Sequence, residues 1–230
     1  MIIVFSILGA VIIALSAVLT AAAIMGRPLK VNPSRKLDGV NDDIQNALWY
    51  SSIAANSHNT QMWSVKLYPN ENRLQISIDE SRVLSIVDSE KREAYISLGC
   101  YVETMSVAFS AYGYDTQINC NDLSVQVAYQ KRDNATVDAA KLSLIDKRHT
   151  DKSAFSNSKM KQETVNALLN KYSALSVYQN GDENFDYIKR VSMDAVTVQS
   201  ANQAYRDELA EWMRFSDKEA ASKLDGITAD

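Results

Sequence analysis

The sequence predicts an α+β fold preceded by one transmembrane helix. Three observations carry that expectation. Helix-period and strand-period segments are interspersed along residues 41–230, no repeat of 20–50 residues is present, and residues 1–25 contain no charged side chain. With 46% hydrophobic residues, three Pro and seven Gly among 230, the chain can fill a core, and the composition excludes disorder and collagen-like arrays. The 24 Lys+Arg against 28 Asp+Glu give a net charge of −4, which argues against a charge-driven nucleic-acid partner. Two cysteines, Cys100 and Cys120, and two histidines, His58 and His149, are too few for a disulfide framework or a structural zinc site, so no metal is expected.

Three segments follow from composition. After the initiator Met, residues 2–25 are apolar except Ser6, Gly9, Ser16 and Thr20. As a helix they would reach roughly 36 Å, enough to cross a hydrocarbon core of about 30 Å. Nothing basic precedes this run and Arg27, Lys30, Arg35 and Lys36 follow it, so the charge rule puts the amino terminus outside and the domain in the cytoplasm. The alternative is a secretory signal cleaved near Ala21, Ala22 and Ala23, with a periplasmic domain. Residues 26–40, which carry two of the three prolines, form a linker, and residues 41–230 form the folded domain.

Within the domain, Asn41, Asp42 and Asp43 cap a helix that ends near Ala55 and presents Ile44, Ala47, Leu48 and Ser51 on one face. Residues 62–68 and 74–78 alternate around the turn Pro69-Asn70-Glu71-Asn72, which reads as a hairpin. A central buried helix spans 90–112, with Ile96, Gly99, Cys100, Glu103, Val107 and Ser110 on one stripe and Gly113 as its stop. Strands at 116–120 and 123–129, a helix at 136–146, a helix at 162–172 and a strand at 174–178 follow. Residues 183–215 read as one long helix or two in succession.

Two polar clusters could carry chemistry. Ser57-His58-Asn59-Thr60-Gln61 is a loop of short hydrogen-bonding side chains between apolar flanks, suited either to a polar ligand or to a self-capped turn in which Asn56, Ser57 and Asn59 bond their own backbone. Lys147-Arg148-His149-Thr150-Asp151-Lys152 combines a guanidinium fork, two ammonium groups and a hydroxyl, the mixture that grips a phosphate, or else a solvated charged loop. No His spacing suits a metal or a catalytic pair, and Cys100 sits in the most apolar predicted helix.

Taken together, these clusters resemble segments of the flavin-dependent nitroreductase family. Ala55-Asn56-Ser57-His58-Asn59-Thr60-Gln61-Met62-Trp63 is similar to that family's P-S-S-x-N-x-Q-P-W loop, and residues 147–155 are similar to its K-R-H-S-x-K-x-F segment. The loop precedes the basic segment here, an order that resembles the Acg-like branch, where two nitroreductase-type halves share one chain. The stretch Ile78-Asp79-Glu80-Ser81-Arg82-Val83-Leu84, followed by Val87-Asp88 and Arg92-Glu93, is also similar to that branch. Met62 and Ala55 stand where the family has prolines, and Asn56 stands for a serine.

The resemblance implies a nitroreductase-like mixed sheet with flanking helices, here the first half and the start of a second in a chain that looks C-terminally truncated. It also implies FMN bound non-covalently, NAD(P)H as hydride donor and a small-molecule electron acceptor. Arg148, His149, Thr150 and Lys152 would hold the FMN phosphate, and Asn56, Ser57, Asn59 and Gln61 would face the isoalloxazine or ribityl. No side chain is implied as acid or base. Two alternatives stand beside this function: a catalytically silent, flavin-sequestering relative, and a membrane-tethered interaction module. An incomplete sheet edge would favour self-association.

Overall fold

The computed structural model describes Ser16 and residues 36–121, 124–151, 154 and 156–228. The expected membrane segment lies outside the described residues apart from Ser16, and among the described residues no helix is long and apolar enough to cross a membrane.

The domain opens with helix α1 (Asp42–Ser51), capped by the Asn41 side chain, which accepts from the Ile44 amide at 3.0 Å and donates to the Tyr114 hydroxyl at 2.8 Å. Its expected face is the buried one: Ile44, Ala47 and Ser51 are inside and Leu48 packs against the core. The hairpin forms as expected from β1 (Trp63–Tyr68) and β2 (Arg73–Ile78), its turn closed by Asn72 in the left-handed region at φ 46°. The long helix α2 (Arg92–Ala111) ends where Gly113 turns the chain at φ +79°. Only glycine fits there, because a Cβ would lie 2.4 Å from that of Ala135. Strands β3 (Tyr114–Cys120) and β4 (Val125–Lys131) and helix α3 (Ala139–Lys147) follow.

The strands form a sheet of order β1-β2-β4-β3. Every pairing in it is antiparallel, where a mixed sheet was expected, because none of the four strands is joined to its hydrogen-bonded neighbour by a same-direction crossover. Register places Leu67 beside Leu74 and Leu74 beside Val127, with Val65, Ile76 and Val125 in the next row. This face, together with Tyr114 and Tyr129, meets α2, which contributes Leu98, Tyr101, Met105 and Phe109. Phe109 and Met105 are completely buried, and the Phe109 ring lies 5.4 Å from that of Tyr129. Helices α1 and α3 pack against α2, so helices cover one side of the sheet.

Two further expectations need correction. Helix α2 turns a different side inward: Ala94, Ser97, Leu98, Tyr101, Val102, Met105, Ala108 and Phe109 are buried, whereas Ile96, Gly99 and Glu103 of the expected stripe are exposed. No strand forms at 174–178, where Leu175 and Tyr178 are exposed and no neighbouring strand among the described residues offers backbone partners. Of the two forms expected for 183–215, the chain takes the second: two successive helices, α5 (Glu183–Ala201) and α6 (Gln203–Trp212), divided at Asn202, whose side chain caps α6 through the Ala204 amide. Helix α4 (Gln162–Lys171) precedes them.

After α6 the chain makes a two-residue strand β5 (Met213–Arg214), helix α7 (Asp217–Lys223) and strand β6 (Ile227–Thr228), which pairs parallel with β5. This short unit brings residues 224–228 onto the loop that follows α1.

Candidate functional site

The loop after α1 is held in an unusual backbone path. His58, Asn59 and Gln61 all adopt positive φ, at 49°, 51° and 52°. Each such non-glycine residue costs on the order of 1 kcal/mol, a strain that persists only where surrounding contacts enforce it. Those contacts are visible. Asn56 accepts the Gln61 amide at 2.9 Å and donates to the Ala54 carbonyl at 3.0 Å, the self-capping expected of a turn. Ser57 donates its hydroxyl to the Glu93 carboxylate, and its amide donates to the Ser97 hydroxyl at 3.3 Å, which ties the loop to the first turns of α2.

Residues 224–226 close the other side. The Asn59 side chain donates to the Gly226 carbonyl at 3.1 Å while the Gly226 amide returns a bond to the Asn59 carbonyl at 3.0 Å. Gln61 donates to the Leu224 carbonyl at 2.6 Å. Gly226 sits at φ +82°, and a Cβ there would fall 2.5 Å from the Trp212 carbonyl oxygen, so the close approach requires glycine.

A charged clasp fastens this segment. The Asp225 carboxylate meets Arg214 at 2.6 Å and Arg82 at 2.6 Å, with Asp225 and Arg214 side chains only 9% and 6% exposed. Arg82 also donates from Nε to the Thr60 carbonyl at 2.6 Å, so one guanidinium joins the clasp to the loop. The stretch from Ile78 to Leu84 and the Asp88 behind it have the same supporting character: Asp79 caps its own turn through Ser81, and the buried Asp88 accepts the Glu93 and Ala94 amides at the start of α2.

The result is a cavity of about 310 Å³ lined by Asn56, His58, Asn59, Thr150 and residues 226–228. Thr150, from the basic segment, therefore meets the Ser/Asn loop, 91 positions after Asn59 in sequence. Arg148 forms the C-cap of α3, with its amide on Leu144 and Ile145 and its side chain exposed. His149 is exposed and its Nδ1 lies 2.9 Å from the Lys147 carbonyl oxygen. Lys152 lies outside the described residues.

Of the expected residues, Asn56, Asn59 and Thr150 line one cavity. Ser57 and Gln61 anchor the loop beside it, and Asn59 and Gln61 each keep a second amide proton and a carbonyl oxygen for a ligand. Sequence reasoning set aside His58. Yet His58 lines the cavity, and its Nδ1 is shielded from solvent with no hydrogen-bond partner among the described residues. The fully buried Thr60 hydroxyl is likewise without a partner there. Among the described residues no cluster of His, Cys, Asp or Glu could hold a metal ion.

The described residues thus define an α+β domain in which a polar, strained loop shares a cavity with Thr150 of a basic segment. No protein-family profile matches the chain. A probable NAD(P)H nitroreductase PigM from Serratia sp. (strain ATCC 39006) is 35% identical over 71 residues, which is 31% of this chain. That match spans 20% of the relative's own length. Among solved structures, the nitroreductase family protein from Streptococcus pneumoniae TIGR4 aligns over 54% of this chain and 96% of that one, at 11% identity and a TM-score of 0.32.

Proposed function

We propose that the chain is a flavin oxidoreductase of nitroreductase type, of the two-halved Acg-like kind, which takes hydride from NAD(P)H through FMN to a small-molecule acceptor. The observation that carries the reading is the meeting of Thr150 with Asn56 and Asn59 around one cavity, since it joins the two separate segments that resemble nitroreductase motifs. The partial sequence similarity to a nitroreductase supports the same reading.

The donor set suits FMN. Arg148 and Thr150 offer a guanidinium and a hydroxyl to a phosphate, with His149 and Lys152 beside them in sequence. The remaining amide groups of Asn59 and Gln61 offer donors and acceptors to a ring edge, and the Ser57 hydroxyl, its proton committed to Glu93, can still accept. When bound, the flavin supplies the redox chemistry, and this chain's residues bind and orient it. Residues 2–25 serve in this reading as a membrane anchor with the domain on the cytoplasmic side, a placement that rests on the sequence alone.

The test is calorimetry of FMN binding to the full chain. Removal of one charge-assisted phosphate contact in Arg148→Ala costs about 2 kcal/mol, roughly thirtyfold in affinity, and Thr150→Ala costs less. Unchanged affinity in Arg148→Ala would return residues 147–152 to the status of a solvated loop.

A further inference from the structure

Residues 156–160 meet the turn at 179–182 ahead of α5, and a cavity of about 370 Å³ lies between them. Among the described residues it shares no lining residue with the cavity beside the Ser/Asn loop. Its two walls are tied together. The Met160 amide donates to the Gln179 side chain at 2.6 Å, the Gln179 amide donates to the Asp182 carboxylate at 2.6 Å, and the Asp182 amide donates to the Gln179 carbonyl at 2.9 Å. Gly181 carries the turn at φ +93°, and the Lys159 ammonium stands over it, 3.7 Å from where a Cβ would lie.

The lining sets the ligand class. Lys159 and Lys189 both border the cavity, no carboxylate does among the described lining residues, and neither ammonium is paired with a described carboxylate. Asp182, in the adjoining turn, has a carboxylate oxygen already bonded by the Gln179 amide. The described lining therefore carries two positive charges and no negative one, which concentrates an anion there. The Ser158 hydroxyl and the Asn180 amide add uncharged donors, and the Tyr178 and Phe185 rings add apolar surface.

We propose that this cavity is a binding site for an organic phosphate, with the phosphoryl oxygens toward Lys159 and Lys189 and the organic part against Tyr178 and Phe185. A phosphate monoester carries about −1.5 to −2 charge near neutral pH and three acceptor oxygens, which matches two ammonium groups and neighbouring uncharged donors. A carboxylate carries one charge and leaves one ammonium uncompensated. The inference stands apart from the flavin reading, because the phosphate grip assigned there lies on residues 147–152, whose described members do not line this cavity.

Phenyl phosphate, which joins a phosphate to a ring, and inorganic phosphate are titrated calorimetrically into the full chain at low ionic strength, where lysine charges are least screened. The titrations are repeated in Arg148→Ala, which silences the other basic segment. The expected result is saturable binding of both ligands that persists in Arg148→Ala and weakens roughly tenfold in Lys159→Gln and in Lys189→Gln. Tyr178→Ala should weaken phenyl phosphate roughly threefold and leave inorganic phosphate unchanged, since only the former has a ring to stack. Circular dichroism of the lysine variants should match the parent, because neither ammonium holds a described partner. Absence of saturable binding, undiminished binding in both lysine variants, or binding lost in Arg148→Ala overturns the proposal.

Discussion

Replacing Asp225 by Asn should undock residues 224–226 from the Ser/Asn loop. Asp225 is the only carboxylate within 3.5 Å of either Arg82 or Arg214 among the described residues, and it holds both at 2.6 Å. Asparagine keeps the volume and one acceptor but removes the charge, leaving the nearly buried Arg214 with only the looser Glu219 at 4.0 Å. Removing one partner from a buried ion pair typically costs 3–5 kcal/mol; Arg82 is 31% exposed and softens the loss, so about 3 kcal/mol is expected. Because the C-terminal unit can open while the sheet and α2 stay folded, the loss should be read locally. Hydrogen exchange at the Gly226 amide, which donates to Asn59, should accelerate roughly a hundredfold, with α2 amides unchanged. The exposed pair Arg132–Asp115, with side chains 41% and 68% accessible, is the control: Asp115→Asn should change stability by no more than about 0.5 kcal/mol. An Asp225→Asn variant whose Gly226 amide exchanges at the parent rate would refute the clasp as the fastening of this loop.

Two further outcomes follow from burial. Tyr101 lies in the core beside Trp63, and burial pushes its phenol above the ordinary range. The unfolded chain therefore loses that proton first as pH rises through about 10, and stability should fall there by up to about 1.4 kcal/mol per pH unit. Urea unfolding of Tyr101→Phe between pH 8 and 11, taken as about the window above and below that value, should show a shallower decline; an identical decline would place the alkaline loss elsewhere. Gly226→Ala forces a Cβ against the Trp212 carbonyl at positive φ, and should open the 224–228 segment by more than about 1 kcal/mol, read by the same exchange measurement; a neutral result would contradict the close approach.

Local signals carried much of the fold. The Asn41 cap, the Pro69–Asn72 turn and the Gly113 stop each act through neighbouring backbone, so α1, the hairpin and the end of α2 were legible in the sequence. The inward face of α2 was not, because its buried side includes Ala94, Ser97 and Ala108, while the exposed side includes Ile96. Small and hydroxylic residues fit beneath a close-packed helix, and periodicity of large apolar residues does not register them. The alternation at 174–178 failed for a different reason: a strand exists only if another offers it partners. The site was legible as two clusters and not as one cavity. The bond between Asn59 and Gly226 joins residues 167 apart, and the clasp that enforces it depends on Arg82, Arg214 and Asp225 converging from three segments. His58 was set aside because no ligand or catalytic spacing surrounds it, and only the packing of distant segments places it in the cavity wall.

The central claim, that the Ser/Asn loop and the basic segment hold one flavin phosphate ester between them, is tested most directly by titrating the full chain with FMN and, separately, with riboflavin, which lacks the phosphate. Binding is followed through the flavin absorbance near about 450 nm and its fluorescence. Saturable FMN binding at least roughly tenfold tighter than riboflavin, with Arg148→Ala bringing FMN down toward the riboflavin value, is the expected result. Equal affinities for the two flavins, or no binding of either, would contradict it.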